Sequence, residues 1–194
     1  MPIDAQKVTA GEAVLLKYNT RVNPREYEVT SDIIFSELFH QWGMEDFSRI
    51  EVAKEAFYSF FFTNTSIYPD VMTALARLKD RGIKIGLLTD GAYGSDRQYT
   101  LYGTGELSTY LDVILTSTEV CFRKPHAAGY LRLAKELNTD VTDCIFVGDE
   151  EKDIVGANRV GMVSVLIDRH SHNPTWSQKH TVRSLEELIP LLSE

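Results

Sequence analysis

Three consecutive acids interrupt the chain just after an apolar run, and they are the residues best suited to hold a hard cation. Ile145, Phe146 and Val147 lead to Gly148; Asp149, Glu150 and Glu151 follow, then Asp153, and a helix-like run from Ile154 to Val160 is closed by Gly161. A short apolar run ending in Gly-Asp reads as a buried parallel strand whose carboxyl end opens into a crevice, where open α/β sheets bind ligands. Asp149 and Asp153 would then bring two carboxylates together, and Mg²⁺ takes carboxylate oxygen while keeping several waters. Acids at this position also suit helix N-terminal capping, and the spacing leaves both readings open. Thr89-Asp90-Gly91 ends a second apolar run and offers a hydroxyl and a tight turn able to aim N–H groups at an anion. Arg123-Lys124-Pro125 offers positive charge on a third loop. Alone, each of these is an ordinary turn or solvated loop. Together, hydroxyl, ammonium and metal-type carboxylates on crevice loops are what phosphoryl transfer needs.

Elements that could position such a set follow from the hydrophobic pattern. Up to about Asn64 the chain reads as helical. Thr9 and Glu12 form a candidate capping box, Asn23-Pro24 with Glu26 a second helix start, Gly43 a stop, and Ser48 to Phe62 a third helix. Its aromatics (Phe57, Tyr58, Phe60, Phe61, Phe62) are expected mostly in a helical core, with one or two facing the crevice. From Tyr68-Pro69 onward the pattern alternates. A helix ends at Gly82, Ile83 to Leu88 and Val113 to Leu115 read as strands, and His126 to Leu137 as a helix. Met162 to Ile167 reads as a further strand, and Ser184 and Glu187 cap a last helix. Strands alternating with helices predict a parallel sheet with right-handed crossovers.

Composition sets outer limits. A chain of 194 residues, 43% hydrophobic and 25% charged, can bury a sizeable core. Its net charge of −8 argues against nucleic acid or an anionic membrane as partner. Cys121 and Cys144 make no disulfide framework; they read as buried thiols in a reduced, cytoplasmic setting. His170, His172 and His180 fit no metal-ligand spacing. Arg123 has two open roles, on a substrate phosphate or merely solvating its loop.

With these motifs in order, the chain resembles the haloacid dehalogenase superfamily, in its helical-cap branch. Tyr68-Pro69-Asp70-Val71 through Gly91 is similar to the family's second motif, Lys124-Pro125 to the third, and Val147-Gly148-Asp149 with Asp153, Gly156-Ala157 and Gly161-Met162 to the fourth. The resemblance implies an α/β fold: a Rossmann-like parallel sheet core over residues 67–194, with a helical cap over 5–66. It implies a Mg²⁺-dependent phosphatase acting on a small phosphorylated metabolite through an aspartyl-phosphate, as a monomer or homodimer. By resemblance, Thr89 and the N–H groups of Asp90 and Gly91 hold the phosphate, and Lys124 neutralises charge. Asp149 binds the metal and Asp153 supports it.

One motif departs from the pattern. The family's first motif, Asp-x-Asp-x-Thr after an apolar strand, is not found. Asp4 is the nearest nucleophile candidate, with Gln6 in the acid/base position; alternatively Ile3-Asp4 matches the pair that follows the motif. On the second alignment the chain starts after its nucleophile, lacks the first core strand and is inactive. A non-catalytic phosphate- and metal-binding protein is then the competing reading. A central strand with about four buried side chains contributes on the order of 10 kcal/mol, comparable to the stability of a whole domain.

Overall fold

The structure, a computed structural model, describes residues 4–63 and 66–192; Met1, Pro2, Ile3 and the side chain of Phe62 lie outside the described residues. Helix α1 (Ala5–Tyr18) starts four residues before the expected capping box, because Asp4 accepts the Lys7 N–H at 2.9 Å and caps it instead. The expected helix start at Pro24 does not form. Asn19 and Asn23 are turned back onto α1, whose Leu16 carbonyl they close. Residues 19–30 therefore run as an irregular arm to α2 (Ser31–Gln41). The arm is clasped to a distant loop: Glu28 N–H donates to Cys121 O at 3.0 Å, Arg123 N–H donates to Glu26 O at 2.8 Å, and Tyr27 bridges Phe122. After Gly43 (φ +65°) a short turn leads to α3 (Ile50–Thr63). Val14, Ile34, Phe35, Leu38, Phe39, Ile50 and Tyr58 are buried between the three helices. Of the expected aromatics, Tyr58 is buried and Phe60 is exposed. Tyr93 and Tyr99, from the segment after the first strand, complete this cluster and seat the helical body on the rest of the chain.

The remaining elements alternate. Helix α4 (Pro69–Asp80) leads to β1 (Gly86–Thr89), then α5 (Arg97–Thr104), β2 (Val113–Thr116), α6 (Ser117–Val120) and α7 (Ala127–Glu136). β3 (Ile145–Gly148), α8 (Glu151–Val160), β4 (Val163–Ile167), β5 (His180–Val182) and α9 (Leu188–Leu191) follow. β5, three residues in polar surroundings, had no strand signal. Every ladder is parallel: Leu87 opposes Ile114, Val147 opposes Val165, and Leu166 opposes Thr181. Tyr130 of α7 lies fully buried against Gly156 of α8, where a Cβ would come within 2.2 Å of the phenol oxygen. Only glycine lets the two helices approach this closely. Cys121 is exposed, contrary to expectation, because the chain turns left-handed there (φ 67°) as it leaves α6. Cys144 is half-buried, and burial pushes its thiol pKa up.

Among the described residues the strands form two separate sheets, β1–β2 and β3–β4–β5. Between them lies a cleft of about 530 Å³ walled by Ile85, Leu87 and Leu88 on one side and by Ile145, Phe146 and Val147 on the other, with Leu133 and Leu137 of α7 also lining it. It lies between the strands ending at Thr89 and at Gly148, where the resemblance implied a first core strand. All four residues of β3 are half-exposed in consequence, whereas Ser164, Val165 and Leu166 of β4 are buried.

Candidate active site

The carboxyl ends of β1 and β3 present their loops to the helical body, as parallel strands do. At the end of β3, Asp153 is 3% exposed and folds back on the turn that precedes it. Its Oδ2 accepts the Asp149 and Glu150 N–H groups at 3.2 and 3.1 Å, and its Oδ1 stands 2.8 Å from Lys124 Nζ. Asp153 is thus a cap through Oδ2 and an ion-pair partner through Oδ1, which accepts no hydrogen bond. Asp149 points outward, exposed, and its carboxylate has no hydrogen-bond or ion-pair partner among the described residues. Lys124 is held from the other strand: Asp90 Oδ1 accepts its backbone N–H at 3.0 Å. Asp90 Oδ2 in turn stands 3.0 Å from Lys152 Nζ, which also pairs with Glu150 at 2.8 Å. Two ion pairs, Lys124 with Asp153 and Lys152 with Asp90, joined by the hydrogen bond from the Lys124 backbone to Asp90, tie the loops of both sheets together. Burial alone would lower the Lys152 pKa; Glu150 and Asp90 outweigh it and raise it. Burial likewise opposes Glu150, whose pKa is nonetheless held low by Lys152 first and then by the charges of Lys124 and Arg21.

The phosphate-side residues are placed less uniformly. The Thr89 hydroxyl, at the end of β1, has no partner among the described residues. The Gly91 N–H is already donated to Ser117 Oγ at 2.9 Å, and its carbonyl accepts from Arg123 Nη1 at 3.0 Å. Arg123 neither reaches outward nor solvates its loop. It is buried and pairs with Glu28 Oε2 at 2.5 Å, the same oxygen that accepts the Ser117 hydroxyl. Asp4 stays on the exposed start of α1 and does not line the crevice. Glu28, Ser117 and Lys152 had not been singled out from sequence. Lys152 lies beside Asp153 and its local pattern could have flagged it; Glu28 is 95 residues from Arg123 and carries no local signal.

Between helical body and core these residues wall a crevice of about 1010 Å³. Tyr18, Arg21, Arg25 and Phe61 line it from the helical side, and Asp90, Arg123, Lys124, Glu150, Glu151 and Lys152 from the core side. Five cations and four acids, Glu26 included, line it, and two of the cations, Lys124 and Arg123, are paired with acids behind that lining, Asp153 and Glu28. A small anion entering there would meet several cations at short range. As to a metal, no group of three or more His, Cys, Asp or Glu side chains converges among the described residues, so a closed protein cage does not fit. One free carboxylate does fit Mg²⁺, which binds through one or two carboxylates plus substrate phosphate and water. Asp149, exposed beside the crevice and outside the residues that line it, would be that ligand, with Asp153 orienting the turn beneath it.

Known proteins can be set beside this geometry. A family model described as haloacid dehalogenase-like hydrolase matches residues 6–161. A glyceraldehyde 3-phosphate phosphatase of Methanopyrus kandleri is 31% identical over 121 residues, covering 62% of this chain and 51% of that protein. A phosphoglycolate phosphatase of Yersinia pestis is 26% identical over 136 residues, covering 68% and 58%. The match spans between 51% and 62% of the length of such curated relatives. Among solved structures, a 2-haloacid dehalogenase from Pseudomonas syringae superposes with a TM-score of 0.70 at 20% identity, covering 99% of this chain and 82% of its own. A phosphatase from Thermococcus onnurineus gives 0.64 at 24% identity, covering 98% and 94%. These structures share the fold.

Proposed function

The chain belongs to the haloacid dehalogenase-like hydrolase family, and from that premise we propose that its crevice takes a small phosphomonoester with Mg²⁺, as in a phosphatase of this family. The observation that carries the reading is a pair of ammonium groups at the strand ends, Lys124 against Asp153 and Lys152 against Asp90, joined by the hydrogen bond from the Lys124 backbone N–H to Asp90 and set on the wall of the crevice. Lys124 would neutralise phosphate charge, and the unpartnered Thr89 hydroxyl would donate to a phosphate oxygen. Mg²⁺ held by Asp149 would supply Lewis-acid stabilisation of phosphate charge. Residues 5–66 would act as the cap that selects substrate. Phosphatase names among the relatives, glyceraldehyde 3-phosphate and phosphoglycolate phosphatase, support phosphate as the group removed, beside one (S)-2-haloacid dehalogenase of Burkholderia cepacia at 28% identity.

Hydrolysis through an aspartyl-phosphate needs a free carboxylate facing the phosphate. Asp90 and Asp153 are both engaged with lysines, and Asp4 caps α1. That observation favours a second reading, in which residues 4–192 bind phosphate and metal without turning over. Hydrolysis of an aryl phosphate with Mg²⁺ and with chelator, run beside calorimetric titration of inorganic phosphate, separates the two. We expect phosphate binding that needs Lys124, and no turnover. Magnesium-dependent turnover abolished by Asp4→Asn would establish Asp4 as nucleophile and overturn the binding-only reading. Failure to bind phosphate at all would refute both.

A further inference from the structure

The arm between α1 and α2 carries a cation that its surroundings do not satisfy. Arg25 and Arg123 are both buried beside one carboxylate, that of Glu28. Glu28 Oε2 is taken by Arg123 and Ser117, and its Oε1 accepts the Val29 N–H at 2.9 Å. Arg25 Nη2 stands 3.9 Å from that Oε1, too far for a hydrogen bond. Its Nη1 donates to the Tyr18 carbonyl at 3.0 Å. Nε and Nη2 have no hydrogen-bond partner, although the side chain is only 8% exposed. Burial, then the charge of Arg123, pushes the Arg25 pKa below the ordinary guanidinium value.

These two orphan donors are not a random pair. They are the parallel N–H groups on one edge of the guanidinium, the edge that grips a carboxylate with two bonds. Leaving such donors unmet in a buried place costs about 1–3 kcal/mol, and native proteins supply a partner. The rings of Tyr18 and Tyr27 lie 5.9 and 6.0 Å from the guanidinium carbon. Arg25 also lines the crevice that holds Lys124 and Lys152.

We infer that Arg25 is a specificity-determining residue that receives the carboxylate of a substrate whose phosphate end sits at Lys124. The substrate class is then a short phosphorylated acid. This rests on the phosphomonoester reading above. The test is calorimetric titration of the whole chain with 2-phosphoglycolate and with ethyl phosphate, which keeps the phosphate and lacks the carboxylate. The unaltered chain is expected to bind the acid roughly 10- to 100-fold more tightly, the range of a charge-assisted fork. Arg25→Gln should abolish that preference, so that both esters bind alike. Arg25→Lys, which keeps the charge without the fork, should leave a preference of only a few-fold, and it gives the readout should the Gln variant not fold. Equal binding of the two esters to the unaltered chain, or a full preference surviving either substitution, overturns the inference while leaving the phosphomonoester reading intact. Binding of neither ester, nor of inorganic phosphate, removes that reading and this inference with it.

Discussion

The cleft between the two sheets and the crevice beneath the helical body are both large, yet opposite chemistry walls them. The cleft is bounded by Leu87, Leu88, Phe146, Val147 and the facing leucines of α7. The crevice is bounded by lysines, arginines and acids. Apolar walls contribute stability only as far as something covers them, at roughly 25 cal/mol per Å². A charged wall at a ligand site is tolerated when each charge has a neighbour of the other sign. The contrast teaches that the fold places its stability and its chemistry on different gaps in one parallel architecture.

Core substitutions test the contrast most forcefully. Leu115, on β2, is 1% exposed within a closed cluster and does not line the cleft, whereas Leu87 on β1 is half-exposed along its wall. Leu115→Ala is expected to cost about 3 kcal/mol in urea unfolding, and Leu87→Ala about 1 kcal/mol, since little packing is lost beside an existing hollow. Equal costs would mean that the cleft closes in solution. In the crevice, Lys124→Ala leaves the Asp153 carboxylate buried without its ammonium, at a cost of about 3 kcal/mol. Adding Asp153→Asn should return part of it, because the remaining group is then neutral; a strictly additive loss in the unfolding midpoint would show the pair is not coupled.

How far these features were legible from sequence differs along the same line. The strand, the break and the helix end of the segment Ile145 to Gly161 were legible because an apolar run, a Gly-Asp break and a C-terminal glycine are local signals, while β3 is half-exposed where a buried strand was expected and α8 starts at Glu151, three residues before Ile154. Gly161 indeed ends α8 in the left-handed region, at φ 84°. Of the two readings of Asp153, the cap is the one its geometry shows: Oδ2 caps α8, and Oδ1 pairs with Lys124. Residues 19–30 were misread because Pro24 satisfies helix-start rules while the long-range clasp to Cys121 and Arg123 decides its conformation. The Glu28–Arg123–Ser117 group was invisible for the same reason: its members are brought together by folding alone.

Smaller effects sharpen the electrostatic half. Glu150 is half-exposed and its pKa is held low, so its contribution is present above the unfolded value of about 4.3 and is lost as pH falls below it. Lys152, with a raised pKa, contributes below about 10.4 and ceases to do so as pH rises through its folded value. Glu150→Gln should therefore cost about 0.5 kcal/mol at neutral pH, after allowance for solvent screening. That cost should fade below about pH 4. A pH series of unfolding midpoints checks this, with Leu87→Ala as the reference whose cost stays flat; a parallel pH trend in both would dissolve the distinction.

The clasp between the arm and the loop after α6 has a mechanical consequence. Glu26 and Glu28 exchange backbone hydrogen bonds with Arg123 and Cys121, and Lys124 is the very next residue. A second joint stands beside it, where Tyr58 of α3 donates to the Tyr93 carbonyl at 2.8 Å and Ser31 donates to Asp96 at 3.2 Å. A body pinned at two places resists rocking about either one, so the ammonium of Lys124 keeps its bearing on the strand ends.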